Sequence, residues 1–121
     1  MPDTATVVRL ALPLLVLLLA SCGNRPETTE YFTSVTGLPL CSGATVRNLN
    51  DRAPDRSPGF DSIYVVEVTM PASCKSSFAK AVGQRIGGRC KPSQRCSGNA
   101  NDGDFYGVEP LPVGFRVTHS T

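Results

Sequence analysis

Apolar residues fall along this chain in three patterns, and each predicts a different kind of element. The first is a solid block from Val7 to Leu19. Its leucine-rich core, Leu10 to Leu19, is about ten residues long, too short to span a bilayer and suited to the h-region of an export signal. Pro13 interrupts it and no polar face alternates with it, which argues against a buried helix of the folded domain. The second pattern is an alternation over Ser62 to Met70. Tyr64, Val66, Val68 and Met70 fall on one face, and Ile63, Val65, Glu67 and Thr69 on the other. That predicts a strand, and the apolar residues on both faces at its start predict a central one, covered on one side by a helix. The third is a three-and-four spacing from Ala72 to Ile86, where Cys74, Phe78, Ala81, Val82 and Ile86 recur while Lys75, Lys80 and Gln84 fall elsewhere. Pro71 ends the strand and opens this helix, and Gly87 with Gly88 stops it.

Weaker patterns fill the rest. Ala44 to Leu49 reads as a short strand with Ala44, Val46 and Asn48 on one face, and Asn50 to Gly59 as an exposed loop rich in Pro, Asp and Arg. Gly87 to Asp104 reads as a loop closed by a tight turn at Asp102 and Gly103. Phe105 to Val108 and Gly114 to Thr118 read as two further short strands, joined through Leu111 and Pro112. Together these predict an α+β fold: a small antiparallel sheet with one main helix packed on one face, stapled by disulfides.

Just past the apolar block stand Leu19, Ala20, Ser21 and Cys22. This quartet resembles the lipobox of bacterial lipoproteins, in which an aliphatic residue and two small ones precede a cysteine. The resemblance covers the first 22 residues of the 121. It implies that signal peptidase II recognises Leu19, Ala20 and Ser21 and cuts before Cys22. The Cys22 sulfur would then carry diacylglycerol and the new amino terminus an acyl chain such as palmitate. A cleaved secretory signal without lipid is the nearest rival. Residues 1–21 are then a signal peptide, 22–34 a lipidated terminus with a flexible tether, and 35–121 the folded domain. About twelve tether residues would give an r.m.s. reach of roughly 20 Å. In such lipoproteins an aspartate directly after the cysteine retains the protein in the inner membrane. Gly23 and Asn24 stand there instead, so the resemblance implies the outer membrane, on its periplasmic face.

Lipid on Cys22 also changes the cysteine count. The chain has five, an odd number for an oxidising compartment, but without Cys22 the set Cys41, Cys74, Cys90 and Cys96 is even. Three pairings are open. Cys74 starts a helix some 18 Å long, and the few residues from Ile86 to Cys90 can return only about 14 Å, so joining Cys74 to Cys90 is strained. The favoured pairing is therefore Cys41 with Cys74 and Cys90 with Cys96. In the chain-entropy model, loops of about 34 and about seven residues are worth about 3.8 and 2.4 kcal/mol.

Net charge is +2, but the bases are unevenly placed. Lys75, Lys80, Arg85, Arg89, Lys91 and Arg95 lie between Cys74 and Cys96 with no acidic residue among them. Such a segment can engage an anionic envelope polymer or an acidic protein, or can be an ordinary solvated face. No aromatic residues interleave with the bases in the manner of a nucleic-acid platform. The Cys90 to Cys96 spacing is too wide for structural zinc, and His119 is the only histidine, so neither metal nor cofactor is expected. His119 reads as a surface residue near a fraying terminus, and Glu67 as a half-exposed strand residue facing Arg116 or a lysine. The function expected is a membrane-anchored, non-catalytic binding or structural module. An inhibitor or immunity protein against a wall-degrading enzyme or toxin is the alternative, and a small enzyme using Glu67 or His119 is a third.

Overall fold

The computed structural model describes residues 25–50 and 63–121, with the side chain of Asn50 excepted. The export signal, the Leu19 to Cys22 quartet and most of the predicted 50–59 loop lie outside the described residues. Helix α1 spans Thr29–Thr36, strand β1 Thr45–Asn50, β2 Ile63–Thr69, helix α2 Lys75–Ile86, β3 Cys96–Asn99, β4 Phe105–Leu111 and β5 Gly114–Ser120, with a single 3-10 turn at Ala72–Cys74 leading into α2. The strands form one antiparallel sheet in the order β1-β2-β5-β4-β3. This is the α+β class expected.

The sheet is assembled from two local units. A β1–β2 hairpin and a β3–β4–β5 meander, linked by α2, zip together along β2 and β5, whose register runs without a break from Ile63 opposite Ser120 to Thr69 opposite Gly114. That seam needs a close backbone approach at one end. A Cβ on Gly114 would run into the Val68 carbonyl oxygen, so no larger residue fits there without moving a strand.

Alternation then sorts the side chains. Tyr64, Val66 and Val68 of β2, Phe115 and Val117 of β5, and Tyr106 and Val108 of β4 are buried together with Phe78 and Val82 of α2. Phe78 lies 5.1 Å from Phe115 and 6.3 Å from Phe32 between ring centroids. Each such side chain contributes roughly 1.5 to 3 kcal/mol of transfer free energy. The predicted α2 stripe is rotated slightly: Ala79 and Gly83 are buried rather than Ala81, because the 88–90 segment crosses the helix at Gly83, where a Cβ would meet the Gly88 carbonyl oxygen at 2.8 Å. Gly87 ends the helix at φ 70° and Gly103 sits in the Asp102 turn at φ 92°.

Three expectations are corrected. Residues 29–34, expected within the tether, belong to α1. Thr28 caps that helix by accepting from the Tyr31 amide, Gly37 closes it at φ 70°, and Phe32 and Thr36 are buried. Cys96–Asn99, expected as loop, pairs with β4 as an edge strand. β4 and β5 each run further than expected, to Leu111 and Ser120, so His119 is a buried strand residue rather than part of a frayed end. The favoured cysteine pairing is borne out: Cys41 is bonded to Cys74 and Cys90 to Cys96, with Cα separations of 6.3 and 5.7 Å.

Candidate functional site

The face of the sheet turned away from α1 and α2 carries a row of charged side chains in register among the described residues. Arg47 of β1, Glu67 of β2, Arg116 of β5 and Glu109 of β4 stand directly opposite one another in register, and Arg95 at the entrance to β3 completes the row. Alternation puts all of them on one face, and antiparallel register aligns them. The ion pairs follow: Arg47 to Glu67 at 2.6 Å, Glu67 to Arg116 at 3.6 Å, Arg116 to Glu109 at 3.6 Å and Glu109 to Arg95 at 3.0 Å. The Arg47 guanidinium, hydrogen-bonded to Glu67, holds that carboxyl below the usual carboxylate range, and Arg116 adds to the effect. A shallow cavity of about 280 Å³ lies beside the Arg95 end, lined by Phe105, Gly107 and Thr118 together with Arg95, Glu109 and Arg116 of the row. Every carboxylate in the row is flanked by two guanidinium groups, and three arginines against two glutamates leave the row one positive charge in excess. Glu67 does face Arg116.

The basic segment is not gathered into one patch. On α2, Lys75, Lys80 and Arg85 are five residues apart, and five residues turn a helix by about 500°, so successive bases point some 140° away from one another. Lys75 donates from Nζ to the Leu111 carbonyl at 2.9 Å and lies 5.6 Å from the Phe115 ring centroid. Arg85 donates to the Tyr106 hydroxyl at 3.1 Å and approaches Asp102 at 3.8 Å. Arg95 belongs to the charge row. Lys80, Arg89 and Lys91 are left exposed, with no ion pair among the described residues.

On the covered side, a second polar cluster joins α1 to the sheet. The Tyr106 hydroxyl donates to the buried Thr36 carbonyl at 2.8 Å while accepting from Arg85. His119 lies edge-on to Tyr106 at 4.9 Å and meets Asp104 through Nε2 at 3.1 Å. This arrangement ties α1, α2, β4 and β5 together at one end of the sheet. Sequence reasoning missed it because its members are spread from Thr36 to His119. The Thr28 cap, the apolar group Tyr31, Phe32 and Val35, and the Gly37 stop were the available signals for its α1 component.

Tyr64 contrasts with Tyr106. It is 1 % exposed, and its hydroxyl has no hydrogen-bond partner among the described residues. Burial, with Tyr31 nearby, pushes its pKa up to about 12.

Compared with protein-family models, curated proteins and solved structures, the chain matches none.

Proposed function

We propose that this chain is a lipid-anchored protein of the bacterial envelope, attached through Cys22 and presenting a small, non-catalytic binding or structural module to the periplasm. The observation that carries the reading is the Leu19-Ala20-Ser21-Cys22 quartet closing an apolar block of signal-peptide length. Cysteine accounting supports it. Cys41, Cys74, Cys90 and Cys96 are consumed in two disulfides, as an oxidising compartment favours, and Cys22 stands apart from them in the sequence. Gly23 and Asn24 after the cysteine favour the outer membrane.

The absence of catalysis in this reading rests on how the candidate groups are engaged. Glu67 is clasped by two guanidinium groups, and His119 is buried with Nε2 turned to Asp104. For binding, Lys80, Arg89 and Lys91 are exposed bases of the Cys74 to Cys96 segment that make no ion pair among the described residues, and they are open to an anionic envelope polymer or an acidic protein partner. Charge reversal at all three should weaken capture of such a partner while leaving thermal stability unchanged. Unchanged capture would return them to ordinary surface.

Mass spectrometry of native protein from membranes tests the anchor. Lipid on Cys22 with no free thiol is expected, and Cys22→Ser should release the protein. Recovery in the soluble fraction, with the leader intact or the new terminus unmodified, would overturn the reading.

A further inference from the structure

We propose that the cavity beside Arg95 and Arg116, on the face of the sheet turned away from the helices, is a binding site for a carboxylate carried next to a small apolar group. The site lies apart from Lys80, Arg89 and Lys91 and does not depend on lipid at Cys22. Strand register gives the cavity its shape. Gly107 of β4 stands opposite Thr118 of β5 on one side and Ser97 of β3 on the other. These three small residues leave a trough across the strands, with Phe105 on one bank and Glu109 on the other, each two residues along β4 from Gly107 and on the same face. A Cβ on Gly107 would lie 3.2 Å from the Phe105 ring, so the glycine keeps the trough open beside that ring. At about 280 Å³ the cavity stands at the small end of ligand sites. That size suits a group as large as one residue, free or at the end of a chain.

Charge selects the ligand. The charged residues of the lining are Arg95, Glu109 and Arg116, two guanidinium groups against one carboxylate. Arg116 is the less engaged of the two bases. Its ion pairs to Glu67 and Glu109 are both 3.6 Å long, beyond hydrogen-bond distance, and its Nε has no hydrogen-bond partner among the described residues. A guanidinium offers five donors in a planar fork that matches a carboxylate. The Arg116 side chain is 42 % exposed, so an incoming carboxylate can take from its Nη atoms the two short bonds that Glu67 and Glu109 do not make. Arg95 already donates to Glu109 at 3.0 Å and adds its charge to the same end of the trough. Phe105 then meets the apolar group of the ligand, and the Thr118 and Ser97 hydroxyls lie between the two banks, where a polar linkage would pass. An ammonium group would face two like charges for one carboxylate, the reverse of this complementarity.

Nuclear magnetic resonance titration of the isotope-labelled, disulfide-intact protein with N-acetylalanine tests the site. Saturable shifts are expected at the Ser97, Gly107 and Thr118 amides and at the Arg116 guanidinium. The uncharged amide of the same probe should bind at least about tenfold more weakly, because the charge-assisted bonds are lost. Arg116→Gln should weaken binding by the same factor. Arg95→Gln, at a side chain 75 % exposed, should weaken it several-fold with the melting temperature unchanged, and it carries the test if Arg116→Gln does not fold. Charge reversal at Lys80, Arg89 and Lys91 should leave this binding intact. A peptide ending in alanine that binds more tightly than N-acetylalanine would identify a chain end as the source of the carboxylate, and equal or weaker binding a free small acid. Equal binding of acid and amide, shifts reproduced by sodium chloride at the same ionic strength, shifts centred away from Gly107, or no saturable shift would overturn the site. The mass of Cys22 tests the anchor separately, so either reading can fail without the other.

Discussion

Two buried tyrosines allow one chemical change to be made twice with opposite expected signs. Tyr64 and Tyr106 are 1 % and 0 % exposed and lie on the same face of the sheet. Removing the Tyr106 hydroxyl leaves the carbonyl of Thr36, itself fully buried, without its 2.8 Å donor, and leaves Arg85 Nε without its acceptor. An unsatisfied buried acceptor costs about 1 to 3 kcal/mol. The Arg85 side chain is 42 % exposed, so water replaces most of what it loses, and Tyr106→Phe should cost about 2 kcal/mol in all. The Tyr64 hydroxyl is desolvated with no hydrogen-bond partner among the described residues, so Tyr64→Phe should relieve that penalty and stabilise by about 1 kcal/mol. For a domain of this size each kilocalorie moves the midpoint by about 4 to 8 °C. Thermal and urea unfolding of the disulfide-intact protein should therefore separate the two variants by about 3 kcal/mol, with the parent between them. Spectrophotometric titration supplies an independent check, since the Tyr64 phenol should ionise only near pH 12. A Tyr64→Phe variant as unstable as Tyr106→Phe would show that the hydroxyl is satisfied after all, and would refute the reasoning.

Gly114→Ala should destabilise by about 1 to 3 kcal/mol, because its Cβ collides with the Val68 carbonyl and the β2–β5 seam must move; a denaturation midpoint equal to the parent's would contradict it. Replacing Cys41 and Cys74 together by Ser should cost about 3.8 kcal/mol, against about 2.4 for Cys90 and Cys96, since the longer loop constrains the unfolded chain more; guanidinium unfolding of both double variants gives the order. Glu67 is expected to make acid stability visible. Its carboxyl is held below the ordinary range, so its contribution is present above the unfolded value of about 4.3 and is lost as pH falls through the folded one. Glu67→Gln should therefore lower the melting temperature at neutral pH, and the gap from the parent should close in acid. A gap that stays constant across that window would exclude the linkage.

Periodicity alone made the centre of the molecule legible. The alternation over Ser62 to Met70 and the helical spacing up to Ile86 are local patterns, and a strand or helix with one apolar face has to bury it. The cysteine pairing was accessible for a related reason, because covalent reach along a short stretch is fixed by bond geometry rather than by the fold. Edge strand β3 lacked any such signal: Cys96, Ser97, Gly98 and Asn99 include none of the β-branched or aromatic residues that mark strands, and β4 imposes the conformation by pairing with them. Helix α1 was hidden because its eight residues are too few to declare themselves without the sheet that buries Phe32. The charge row shows the division most plainly. Alternation determines that Glu67 and Arg116 each face away from their apolar neighbours, but only the register of strands about fifty residues apart sets Arg47, Glu67, Arg116 and Glu109 in line. Tertiary pairing also decided that Arg25 hydrogen-bonds to Asn48 and to the Ile63 carbonyl, since a sequence specifies which groups exist and the packed chain specifies which of them meet.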